Sequence, residues 1–301
     1  EIDLVVTQLK SAQRPILLIG GGVSRNAARA LQTELTSSGI PVMTTWNAAD
    51  RVDAAHPSYL GRPNTWGQRA ANLLVAQADL IIAVGTRLGM QQTGFNWQQF
   101  GRNAFVVHVD IDRAELEKGH PKIDLPVCAD ADDFLTRLLP KVRGDWETWV
   151  SYAQAVRKAL PLNDPANETG KGFLSPYDFY ADLVRHSESD DVMVPCSSGG
   201  ANSVSMQVIE QKLGQVIITD KGLASMGYGL AGAIGASMAH PGKRTFLIEG
   251  DGGFSQNLQE LATVAVNNLP IKTFIFANNG YGSIRMTQKN YFGGAYLGCD
   301  T

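Results

Sequence analysis

The feature that most constrains this chain is an alternation. Short runs of β-branched and aliphatic residues recur along it, separated by amphipathic stretches with helical spacing. That is the pattern of strands joined by crossover helices, because parallel neighbours need a connection long enough to return across the sheet. In the first half the strand candidates are residues 16–19, 41–44, 80–84 and 105–109, apolar apart from Thr44 and His108, as strands covered on both faces should be. In the second half they are 192–194, 216–218, 245–248 and 273–276. The chain is read as α/β, with two doubly wound parallel-sheet domains. Its 301 residues agree, at roughly 150 per domain.

Between the two sets of strands lies a polar helix candidate over 146–160, followed by Pro161, Pro165, Asn167, Gly170 and Gly172. A stretch so dense in breakers predicts a connection. The expected division is a central domain over 1–145, a linker over 146–175 and a second domain over 176–301. Ser175 reads as a helix N-cap with Pro176 at the first helical position, opening a helix that carries Phe179, Leu183 and Val184 on one face. No fixed-period repeat occurs, which excludes solenoids and propellers.

Composition narrows the function classes. Lys and Arg number 26 against 29 Asp and Glu, a net charge of −3, so no strong field favours nucleic acid or anionic lipid. Apolar residues make up 44% and charged ones 18%, with no apolar run near the roughly 20 residues of a membrane span. Cys128, Cys196 and Cys299 are widely separated and odd in number, which suits free thiols in a reducing, cytoplasmic setting. The start, Glu1-Ile2-Asp3-Leu4, has no signal-peptide pattern and no initiator Met, as in a fragment.

In the first half, Gly20-Gly21-Gly22 follows a strand and precedes a helix, a turn that serves either tight packing or a phosphate. The ordinary dinucleotide fingerprint is incomplete: Arg25 stands where a third glycine belongs, and Thr44-Thr45 where an acid should close the second strand. A different nucleotide mode would use Gly85-Thr86-Arg87 and Asp110-Ile111-Asp112 at the carboxyl edge of the sheet, Arg87 for a phosphate and Asp110 for a ribose hydroxyl. Alternatively, Asp112 caps the helix running through Lys118.

The sharpest pattern lies in the second half. Gly250-Asp251-Gly252-Gly253 follows one strand, and Asn278-Asn279-Gly280, 27 positions on from Asp251, follows the next. Neighbouring parallel strands would bring a carboxylate and an amide oxygen to the same sheet edge, the hard ligands that Mg²⁺ or Ca²⁺ prefers. Glycines beside Asp251 would let backbone approach a phosphate, so the expected ligand is a metal diphosphate.

This pair resembles the signature of thiamine diphosphate enzymes. The run from Leu223 through Met226-Gly227-Tyr228-Gly229 to Ala233 is similar to the family's GxMGxGLPAAIGA segment, and Asn257-Leu258-Gln259-Glu260-Leu261-Ala262-Thr263 to its NxQELxT helix. Ile19-Gly20-Gly21-Gly22 and His108-Val109-Asp110-Ile111-Asp112 resemble the central domain of the acetolactate synthase branch. The resemblance implies thiamine diphosphate and Mg²⁺ as cofactors, with Asp251, Asn278 and the carbonyl of Gly280 holding the metal. The family commonly reads Asn-Asn-Asp-Gly; a loop shifted by one would give those roles to Asn279 and Tyr281. It implies diphosphate contacts from Gly252, Gly253 and the loop Ser197-Ser198-Gly199-Gly200. It also implies Met226 propping the cofactor in its bent form, with Ala224 and Ile284 beside it.

Further expectations come from the same resemblance. Family members have three domains, of which this sequence matches the second and third, the third cut short at its C-terminal end. The glutamate that activates the aminopyrimidine belongs to the first domain, so no catalytic residue is expected here, and these residues alone should be inactive. The implied reaction of the parent is decarboxylation of a 2-oxo acid with carboligation; alternatives are simple decarboxylation or a non-catalytic nucleotide-binding module. Tyr281-Gly282-Ser283-Ile284-Arg285 and Asn290-Tyr291-Phe292-Gly293-Gly294 look most like the carboligases. For the central domain the resemblance leaves FAD, ADP or no nucleotide. Residues 20–22, Arg87 and Asp110 agree with a flavin, whereas Gly61-Arg62-Pro63-Asn64 stands where the flavin-binding synthases resemble Gly-Met-His-Gly. Partners are a small 2-oxo acid and further copies of the chain, as a homodimer or homotetramer, since the family's cofactor lies between subunits.

Overall fold

Five strands of the first half, β1 (Pro15–Ile19), β2 (Val42–Thr44), β3 (Leu80–Val84), β4 (Phe105–Asp110) and β5 (Leu125–Cys128), pair in parallel in the order β2-β1-β3-β4-β5. Every residue of β1, β2 and β3 is buried, which is why the sequence there is apolar throughout instead of alternating. Ile19 pairs with Val84 and Val84 with Val109, so the carboxyl ends of β1, β3 and β4 stand level. Strand order reverses between β1 and β3, where an open parallel sheet forms its crevice.

The second half repeats the plan with β6 (Val192–Pro195), β7 (Val216–Ile217), β8 (Thr245–Gly250) and β9 (Ile271–Phe276), ordered β7-β6-β8-β9 and all parallel. Pro195 pairs with Ile248 and Gly250 with Phe276. The reversal here falls between β6 and β8, so the segments after Pro195, Gly250 and Phe276 leave from one edge.

The computed structural model describes residues 1–196 and 198–300, and they divide into two units. One comprises Glu1–Asp164 with Glu210–Leu213, the other Pro165–Ile209 with Gly214 onward. The helix Glu147–Ala159, expected as linker, belongs to the first unit: Trp149 and Ala153, four residues apart on one face, are buried in its core beside Trp146. Glu210–Leu213 is the second departure from a single boundary. Gln211 lies buried in the first unit, its side-chain amide donating to the Val52 carbonyl and its Oε1 accepting from the buried Arg62. The Ala54 amide donates to the Gln211 carbonyl at 2.9 Å and the Leu213 amide to Asp53 Oδ2 at 2.8 Å.

Smaller differences have local causes. β5 is an edge strand, buried only at Val127, and its Pro126 argues against a strand in the sequence. Ser175 does cap the helix Pro176–His186 by position, but its hydroxyl donates to the Asn167 carbonyl at 3.0 Å. Asp112 caps Arg113–Glu117, accepting from the Ala114 amide at 2.8 Å.

Candidate functional site

β8 ends at Gly250, whose extended backbone hands the chain to a short helix, Asp251–Ser255. Asp251, first in that helix, is half-buried. Its Oδ1 accepts from the Gly252 amide at 2.8 Å, while Oδ2 accepts from the amides of Asn278 at 3.0 Å and Gly280 at 3.1 Å. One carboxylate thus gathers the loop that leaves β9. Asn279 between them turns through φ 63° and Gly280 through φ 128°; an asparagine tolerates the first and only glycine accepts the second readily. The Tyr281 amide is taken by the Cys299 carbonyl at 2.8 Å, and Arg285 donates to the carbonyls of Asn278 (3.2 Å) and Asn279 (2.7 Å) while pairing with Asp300. The carboxylate therefore engages positions 278 and 280, not 279 and 281.

Two side chains that carried no role in the sequence reading tie this corner together. Gln256 donates to the Tyr281 hydroxyl at 2.6 Å, and Asn257 donates to the Gly227 carbonyl at 2.7 Å. The three motifs around Gly227, Asp251 and Asn278 are thereby one hydrogen-bonded assembly. Gly252 belongs to it sterically: a Cβ there would lie 2.6 Å from the Tyr281 ring. The sequence signals for these contacts were two amides directly after a glycine-rich helix start, the second of them opening the motif at 257–263.

From β6 the chain reaches Cys196; Ser197 lies outside the described residues. Ser198 is the N-cap of the ten-residue helix Gly199–Val208. Gly199 has φ +66°, and a Cβ on Gly199 or Gly200 would meet nothing within 4 Å. An open helix start with its first amides unobstructed suits an anion. Ala224 is held at φ +58°, an unusual conformation for a residue with a Cβ, and its amide donates to the Asp220 carbonyl at 2.8 Å. Only the carbonyl of Ala224 is therefore left for a ligand. Met226 is 48% exposed and Ile284 39%, large apolar side chains facing no filled core.

Beneath the edge lies a pair that no motif announced. Glu249, at 3% exposure, fills the space between two glycines: a Cβ at Gly229 or Gly253 would collide with its carboxyl oxygens. Burial pushes its carboxyl above its ordinary value. The neighbouring Cys196 thiol is raised far above its usual value, first by burial and second by Glu249. Gly253, read in the sequence as a diphosphate contact, thus has a packing reason for lacking a side chain.

The glycine turn of the first unit has a different character. The amides of Gly20, Gly22 and Val23 donate to Val84, Gly85 and Gly20 carbonyls, and the Ser24 amide to Asp132 Oδ1 at 2.8 Å. A Cβ at Gly20 would fall 2.2 Å from the Gly85 carbonyl oxygen. The turn braces β1 against β3, the amides of Gly20, Gly22 and Val23 are committed, and a carboxylate occupies the helix start, which leaves the Gly21 amide alone for a phosphate. Those residues do not fit the diphosphate of a flavin. Asp110 is buried at the end of β4 with Oδ1 accepting from the Asp112 amide, and Arg87 is exposed after β3.

Comparison with known proteins bears on both units. Residues 2–138 match a family model described as thiamine pyrophosphate enzyme, central domain, and residues 198–301 one described as thiamine pyrophosphate enzyme, C-terminal TPP binding domain. Among curated proteins, an acetolactate synthase of Mycobacterium bovis is 32% identical over 300 residues, covering 97% of this chain and 48% of its own length. The acetolactate synthase isozyme 1 large subunit of Escherichia coli is 31% identical, covering 94% and 50%. A probable acetolactate synthase large subunit of Methanocaldococcus jannaschii is 31% identical, covering 97% and 50%. The chain spans about half the length of these relatives.

Proposed function

Because the chain belongs to the thiamine pyrophosphate enzyme family, as its central domain and C-terminal TPP binding domain of acetolactate synthase-like type, we propose that it holds thiamine diphosphate through Mg²⁺ at the carboxyl edge of β6, β8 and β9. The whole protein, on this reading, decarboxylates a 2-oxo acid and joins the remainder to a second carbonyl compound. The observation that carries it is the Asp251 carboxylate at the end of β8 gathering the loop after the neighbouring strand β9.

The donor set suits the cation. Asp251 offers a carboxylate, Asn278 an exposed amide, and Gly280 a carbonyl already bent toward the Gly282 amide at 3.1 Å but with a second lone pair. Gly199 and Gly200 offer main-chain amides to phosphate oxygens, with Ser198, Gly252 and Gly253 flanking them. Met226 and Ile284 offer apolar surface to the cofactor's rings, and the Ala224 carbonyl an acceptor for an amino group. When bound, thiamine diphosphate supplies a nucleophilic carbon and an electron sink for the departing carboxylate. The chain's part is to fix its orientation and exclude water around Met226. Glu249 is sealed under the strand edge and takes no part in activating the cofactor. No step is assigned to FAD, since the β1 turn does not fit it. We further propose a cytoplasmic homodimer or homotetramer acting on a small 2-oxo acid.

Calorimetric titration of the intact protein with thiamine diphosphate and Mg²⁺ tests the site. Asp251→Ala and Asn278→Ala are expected to weaken binding by about tenfold or more, on the order of 1.4 kcal/mol; unchanged affinity in both overturns the assignment.

A further inference from the structure

The opposite, amino-terminal edge of the first sheet carries a cavity of about 1030 Å³ that plays no part in the reading above. It lies where β1 begins, between the end of the helix Arg69–Gln77 and the helix Glu147–Ala159. Its walls include Trp149 and Tyr152, whose rings stack with centroids 5.6 Å apart at 18°. Gln77 braces this wall: its Oε1 accepts from the Tyr152 hydroxyl at 3.0 Å, and its carbonyl accepts from Arg14 Nε at 2.8 Å. The wall is therefore held in place by the protein before any ligand arrives.

Two observations point to what would enter. Arg14 and Arg102 both line the cavity, both are exposed, and among the described residues neither makes a salt bridge. Asp145 is the one carboxylate among the lining residues, against two guanidiniums, and the nearby Asp79 carboxylate is engaged by the amides of Gln13 and Arg14. A guanidinium kept by its Nε in a fixed place, with its terminal nitrogens free, is arranged for an oxyanion. Trp149 itself is 4% exposed, and its indole Nε1 is buried with no hydrogen-bond partner. An unpartnered buried donor is uncommon, because it forfeits the hydrogen bond it would make in water.

We propose that this cavity is a binding site for a small planar organic anion, an aromatic or conjugated carboxylate, sulfonate or phosphate. Its ring lies against the Trp149 and Tyr152 wall, and its anionic group meets Arg14 and Arg102. The cavity volume is that of an ordinary small-molecule site, and stacking with paired guanidiniums supplies both area and charge. The site stands on residues of the first unit alone and is independent of the cofactor reading.

The probe is 1-anilinonaphthalene-8-sulfonate, with the uncharged N-phenyl-1-naphthylamine as its control, titrated into the intact protein by fluorescence. The wild type should give a saturable signal with the sulfonate that salicylate displaces. Arg14→Gln with Arg102→Gln should weaken the sulfonate about tenfold or more and leave the uncharged probe unchanged, with an unaltered thermal melt. Arg14→Lys with Arg102→Lys should restore part of the affinity. Equal sulfonate affinity in wild type and the double Gln variant overturns the proposal, as does the absence of saturable binding in the wild type.

Discussion

At the scale of single residues, burial decides chemistry more than identity does. Cys196 sits at the edge of the candidate site, but its thiol is pushed so far up by burial and Glu249 that little thiolate exists near neutrality. Cys128 is exposed. Titration of the native protein with a thiol reagent at pH 8 should therefore label Cys128 promptly, and Cys196 only after unfolding. His108 is fully buried with Nε2 on the Thr86 carbonyl at 2.8 Å, and burial holds its pKa below 6.5 despite that bond. The unfolded chain takes up the proton first as pH falls, so stability is fully present above 6.5 and is lost as pH drops through the lower folded value. Urea midpoints should fall between pH 7 and pH 5, and the fall should be smaller in His108→Asn. Gly253→Ala places a Cβ 2.4 Å from Glu249 Oε1, and a loss of about 1–3 kcal/mol is expected in denaturant titration. Shortening the acid as well, by Glu249→Ala, should recover part of that loss, because the two positions share one space.

At the scale of elements, what was legible in the sequence tracks what is buried. The apolar runs at β1 and β3 and the nearly apolar one at β4 announced strands, and the glycine-asparagine motifs announced which strand ends meet at one sheet edge, because close main-chain approach demands those residue types. β5 stayed hidden because Pro126 interrupts its short apolar run, and a proline within a run speaks against a strand except at a sheet edge. Contacts such as Gln256 to Tyr281 and Glu249 beneath two glycines stayed hidden for another reason: polar side chains choose partners by three-dimensional approach, which linear spacing does not encode. Glu210–Leu213 is the same case. Its four residues look like any loop, yet Gln211 is 1% exposed and joined to Val52, Ala54 and Arg62. Gln211→Ala should lower the stability of the first unit by about 1–3 kcal/mol, read as a shift of its calorimetric transition, since a buried guanidinium loses one of its acceptors.

At the scale of the whole molecule, the second unit leaves more apolar surface open than the first. Four of the six residues of β9 are half-buried and two exposed, and no residue of the helix Leu261–Val266 is buried, with Val266 81% exposed. Light scattering on the intact protein should accordingly report a dimer or tetramer; a strict monomer that binds cofactor tightly would contradict the proposed assembly. The excursion at 210–213 bears on how such a protein can be recombined. A chimera joined at one point between 164 and 176 would take Gln211 from one parent and its acceptor and donors at Val52, Ala54 and Arg62 from the other. The two units are modules in space but not in the gene, and swapping either one cleanly takes two junctions more, around a four-residue insert that travels with the opposite half.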